Sequence, residues 1–289
     1  MIGTEFKRYL RSKYIFIMSI LCLTPIIISY YFTNVDKVEL YDNIISNSSD
    51  FNLDAGIRHY EGINAFTYLF DFIFSPDFYI IFVIVLSMSL GVIFGGTELK
   101  NRTTGFGNMI FSRINVQKGN IQILLSQIVF SIIFIVVFFT IITIITLLLF
   151  PVNEGKGFTI VIPMQITSIS QCVYLLIEHI SKLLIYIVSV VCITYGISYY
   201  VSNKYIILFV PLIVYMVPLF VCSIVGSFFK PLGNVLSYLV ADQYLLSIYD
   251  RCTSRNVDLG SELILPVTLV IIALILLCNY CRNINRNYL

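Results

Sequence analysis

The sequence predicts an all-α membrane protein with six transmembrane helices, an amino-terminal interfacial elbow helix and re-entrant or outer-surface helices before the last span. Three observations carry this. Of 289 residues, 58% are hydrophobic and 12% charged, about half the charged share of a typical soluble domain (about 25%). Six intervals, 14–35, 78–97, 119–153, 183–203, 205–229 and 263–281, contain no Asp, Glu, Lys or Arg, and each reaches or nearly reaches the ~20 residues needed to cross a hydrocarbon core of about 30 Å. With the amino terminus inside, eleven Lys/Arg fall on inner segments and seven on outer ones, the sense of the positive-inside rule. The remaining pieces are too short to build a catalytic domain with its own core, so a fused ATPase is not expected.

In chain order, Ile2, Phe6, Tyr9, Leu10 and Lys13 recur at helical spacing while Lys7, Arg8 and Arg11 fall on other faces. That describes an elbow over 1–13 lying on the inner leaflet, or simply a basic topogenic cluster. The apolar run from Tyr14 to Phe32 exceeds a signal-peptide core and no small-residue cleavage site follows, so it is read as a retained span, about 14–33. Residues 36–77 are polar and acid-rich, with turn residues at Asn47-Ser48-Ser49-Asp50, and read as the longest outer loop. The second span, about 78–97, carries Gly91-x-x-x-Gly95, which permits close helix approach; the third, about 121–150, carries Thr140, Thr143 and Thr146 on one face.

Residues 157–177 are also charge-free, but Thr159, Pro163, Gln165, Thr167, Ser168, Ser170 and Gln171 argue against a seventh span. The fourth span, about 183–202, follows Glu178-His179, read as an interfacial polar pair. The fifth, about 205–228, contains Pro211 and Pro218, each removing a backbone hydrogen bond. With Tyr215 and Phe220 they form a candidate wall of a translocation path. Residues 230–262 place Val235, Leu236, Leu239, Val240, Leu245, Leu246 and Tyr249 at helical spacing ahead of the sixth span, about 263–281. Trp is absent, so tyrosines supply the interfacial belt.

Several chemistries are disfavoured. The six spans hold no acid, base or histidine, so ion-coupled transport is not expected. No span pairs His with Ser or gathers His and Glu, so protease chemistry and a metal site are not expected either. No phosphate-binding glycine loop is present, so any ATP must be hydrolysed by another chain. Most of the seven cysteines lie in apolar runs, against a disulfide framework. No nucleic-acid partner is expected.

The most informative inner segment runs Gly95-Gly96-Thr97-Glu98-Leu99-Lys100-Asn101-Arg102-Thr103, then Ser112-Arg113 and Lys118. A Glu at the end of span two, Glu-x-Lys-Asn-x-Thr, then Ser-Arg and a Lys opening span three, with a basic elbow containing Glu5, Lys7 and Arg8, resembles the permease subunits of type-2 ABC exporters of low-GC Gram-positive bacteria. The resemblance covers the architecture of the chain, its sequence motif about twenty residues.

It implies a permease in the plasma membrane with both termini cytoplasmic, paired with a second copy or a related subunit. Each copy would dock an ATP-binding subunit that holds the ATP and Mg, through Glu5, Lys7, Arg8, Glu98, Lys100, Asn101, Thr103, Arg113 and Lys118. Amphipathic peptides such as toxins or bacteriocins are the preferred cargo, with lipids or drugs as alternatives. A scaffold or sensor subunit without a transport path is the competing reading.

Overall fold

The computed structural model describes residues 2–46, 57, 60, 63–103, 116–152, 169–198, 200–201, 203–252 and 262–288. Among these the chain is helical throughout: α1 (Ile2–Leu10), α2 (Lys13–Ser46), α3 (Ala65–Phe74), α4 (Pro76–Thr103), α5 (Val116–Leu149), α6 (Ile169–Ile197), α7 (Lys204–Phe228), α8 (Lys230–Ser237), α9 (Ala241–Cys252) and α10 (Ile264–Tyr288). Five of them, α2, α4, α5, α6 and α7, are long and apolar enough to cross a membrane. The sixth expected span falls on α10, whose apolar stretch Ile264–Tyr280 is shorter.

Burial separates a centre from a rim. In α6 61% of the apolar stretch is buried and in α4 50%, against 22% to 33% for α7, α2 and α5. Accordingly α6 packs against α10, α5, α4 and α7, while α4 packs against α7 and α2. The outward faces keep large apolar side chains such as Phe16, Ile20, Ile144, Leu148 and Phe220 exposed, which suits an apolar surrounding better than water. Among the described cysteines, Cys22, Cys172, Cys192, Cys222 and Cys278 are free thiols.

Two expectations are corrected. The acid-rich stretch 36–77 is not all loop, because α2 continues to Ser46 and α3 is buried along all ten of its residues. Asn64 starts α3 with a capping box: its side chain accepts from the Phe66 and Thr67 amides, and Thr67 returns a bond to the Asn64 amide. At about 1.5 Å per residue α3 is too short to cross a bilayer, and it packs between α2, α4 and α5. The second correction concerns span four: α6 starts at Ile169, before the anticipated 183. Part of the stretch weighed as a seventh span is thereby the beginning of α6, and its remainder, 157–168, lies outside the described residues.

α6 and α10 cross closely at a glycine. A Cβ added at Gly196 would stand 2.7 Å from Leu276 Cβ, closer than carbon atoms pack. Gly196→Leu is therefore expected to part the two helices and lower stability by about 1–3 kcal/mol. Thermal unfolding in detergent checks this against Gly3→Leu, a control with open space around it; equal midpoints for the two variants would refute the contact.

Candidate functional site

Of the sequence-predicted coupling residues, Glu5, Lys7 and Arg8 lie on α1, which packs on α5. Tyr9 is buried, its ring 5.2 Å from Phe94 of α4 and 5.5 Å from Phe130 of α5, and Phe6 lies 5.7 Å from Phe130. Edge-to-face rings at these separations add to the burial of the rings themselves. The aromatic contact pins α1 where α4 passes into its last turns, and those turns carry Glu98, Lys100, Asn101 and Thr103. The predicted inner loop thus begins as continuous helix. On α1, Glu5 is buried and ion-paired with Arg8 at 3.4 Å, while Lys7 is exposed. Lys118 is exposed in the first turn of α5, and Arg113 lies outside the described residues.

The four residues proposed for a translocation wall do not share one face. Pro211 and Tyr215 are buried, Pro218 is half-buried and Phe220 is 58% exposed. Pro211 faces inward against Gly91, whose added Cβ would meet the Pro211 ring at 3.1 Å, so the close approach suggested by Gly91 joins α4 to α7. Tyr215 donates its hydroxyl to Asp242 of α9. Burial raises the Asp242 carboxyl above its ordinary value, and the Tyr215 bond opposes that rise.

A second polar centre lies inside the bundle and was not foreseen. Lys182 of α6 donates to Ser247 Oγ of α9 at 2.6 Å and to Glu262 Oε2 at 2.7 Å. Glu178, one turn earlier, stands 3.8 Å away, and the Tyr244 ring lies 5.7 Å from the ammonium. Lys182 is only 8% exposed, so these partners replace its hydration shell. Beside it, His179 is fully buried, with the Tyr79 ring at 4.8 Å and Phe139 at 6.5 Å. Glu178-His179 thus lies well inside α6 rather than at a helix start, with Glu178 partly and His179 fully buried. The overlooked signal was Glu178 four residues before Lys182, a favourable helical pair.

Together the Lys182 cluster and the Tyr215–Asp242 bond tie α9 down at two points. Its buried face, Ala241, Tyr244, Leu245 and Ile248, belongs to the main apolar core. The helix expected between residues 230 and 262 thus exists, as α8 folding back on α7 and α9 packing on α6. At the α7–α8 turn Gly226 and Gly233 meet so closely that a Cβ on Gly233 would stand 2.5 Å from Gly226 Cα.

Among the described residues no group of three or more His, Cys, Asp or Glu is placed to hold a metal ion. No family model, curated protein or solved structure matches this chain.

Proposed function

We propose that the chain is the transmembrane subunit of an ATP-driven exporter of the type-2 ABC kind, working in a bacterial plasma membrane. The observation that carries this reading is the Tyr9 contact with Phe94 and Phe130, which couples a basic amphipathic helix mechanically to the helix bearing Glu98. In this reading α1 is an elbow on the inner leaflet and α10 is the sixth span. An even number of crossings then places both termini on one side, and the Lys/Arg excess on the inner segments makes that side the cytoplasm.

A partner ATP-binding subunit holds ATP and Mg and docks at α1, the end of α4 and the segment leading to Lys118. A second permease copy completes the assembly. Lipid contacts the apolar rim, and the aromatic and aliphatic character of the spans suits amphipathic peptide cargo. The chain supplies no ATPase site of its own, so the force on α4 comes from the partner's closure.

The test is purification of the tagged chain from its native membrane. An ATP-binding subunit is expected to accompany it, with hydrolysis stimulated by cargo. Glu98→Ala is expected to leave membrane insertion and stability unchanged and to cut stimulated hydrolysis and export about tenfold, the scale of about 1.4 kcal/mol of lost coupling. Recovery of the chain without any ATPase refutes the assignment, whereas full export by Glu98→Ala removes only that residue from the mechanism.

A further inference from the structure

Where α4, α5, α6 and α7 meet, a cavity opens inside the bundle, with Leu90, Phe94, Val190 and Pro211 among its apolar walls and Ser87, Gln127 and Thr194 among its polar ones. It is narrow, and its widest part admits about one water molecule. Gln127 lies in this wall at 1% exposure, and its amide nitrogen has no hydrogen-bond partner. The nearby hydroxyls are half-used. Ser87 Oγ donates to the Val83 and Ile84 carbonyls at 2.8 and 3.0 Å, and Thr194 Oγ1 donates to the Val190 carbonyl at 2.8 Å. Each proton is thus spent on its own helix while oxygen lone pairs remain to accept.

A buried amide with no acceptor costs free energy, and surrounding hydrocarbon offers no solvent to relieve it. The lining contains no ionisable carboxylate, amine or imidazole, so the chemistry suits an uncharged guest that both accepts and donates. We propose that this cavity is a binding site for a single water molecule, which accepts from Gln127 Nε2 and donates to a hydroxyl oxygen of Ser87 or Thr194. The site lies beside the Gly91–Pro211 contact, where α4 and α7 cross without an interlocking side chain on the glycine. A water there can exchange partners as the helices shift, so movement at this crossing does not strand the Gln127 amide. The inference is independent of the export reading.

Hydroxyl-radical footprinting of the full chain in detergent tests it, because radicals formed from a bound water oxidise the side chains around it. Phe94 lines the cavity and Phe82, also buried, does not. Phe94 is expected to oxidise about tenfold faster than Phe82 if water occupies the site, and Gln127→Met is expected to reduce that rate to the Phe82 level. Should Gln127→Met fail to fold, the double variant Ser87→Val, Thr194→Val gives the same reading. Equal rates at Phe94 and Phe82 in the unaltered protein overturn the proposal, and so does fast Phe94 oxidation that persists in both variants. The thermal midpoint supplies an independent sign: it falls in Gln127→Met if the amide holds water and rises if the amide is merely unpaired.

Discussion

Lys182→Met is expected to destabilise the folded protein by about 3–5 kcal/mol, because it removes the ammonium that faces Glu262, whose side chain is 10% exposed, and partly buried Glu178. The ammonium lies 2.7 Å from Glu262 and 2.6 Å from Ser247, and these contacts hold α9 and the start of the α10 segment against α6. A methionine keeps most of the aliphatic stem, so the loss reports the charge rather than the packing. Adding Glu262→Met to Lys182→Met is expected to recover much of the stability, since two apolar groups that pack together carry no unpaired charge. Thermal unfolding in detergent checks both variants. If the double variant is no more stable than Lys182→Met alone, the cost came from packing and the ion pair is not what holds α9.

The second large effect depends on pH. Asp71 is 7% exposed within α3, and burial, with a smaller contribution from Asp36, pushes its carboxyl up to about 7 against the opposing Thr33 hydrogen bond. The folded state therefore favours the protonated form. Below about pH 4 the carboxyl is protonated in both states and contributes nothing. Between about pH 4 and pH 7 the unfolded chain ionises first, so unfolding gains. Above that range the penalty is complete, about 4 kcal/mol at most by the usual 1.36 kcal/mol per pKa unit.

Asp71→Asn removes the titration and can still bond to Thr33. Its midpoint is expected to exceed that of the unaltered protein at pH 8 and to converge with it near pH 4. A variant that is less stable at pH 8, or that keeps the same pH slope, would show that Asp71 is ionised and satisfied in the fold.

Both residues mark where the sequence pattern stopped being readable. The apolar run around Asp71, AFTYLFDFIF, was assigned to an outer loop because acids flank and interrupt it. The Asn64 cap and Thr67 three residues later were the local sign of a helix start. Likewise Glu178, His179 and Lys182 were set outside span four because ionisable groups rarely enter hydrocarbon, and that rule concerns unpaired charge. The ammonium sits inside α6 because Glu262 and Ser247, 80 and 65 residues away, are brought to it. The proline set met the same limit: periodicity placed Pro211 and Tyr215 on α7, but only packing distinguished them, buried, from exposed Phe220.

The sequence by itself determined the helical membrane class, five of the six expected apolar spans and the amphipathic segments at α1 and α8–α9. These follow from the cost of placing charge in hydrocarbon and from the helical period of side chains, both of which depend only on neighbours along the chain. Tertiary structure alone decided that α4 and α6 form the centre, that α3 is interior, that α1 is pinned at Tyr9, and that Lys182 and Gln127 are buried polar groups. Burial of a polar side chain is decided by whether a partner from a distant segment, or a water molecule, is positioned to replace its solvent, and no local pattern records that.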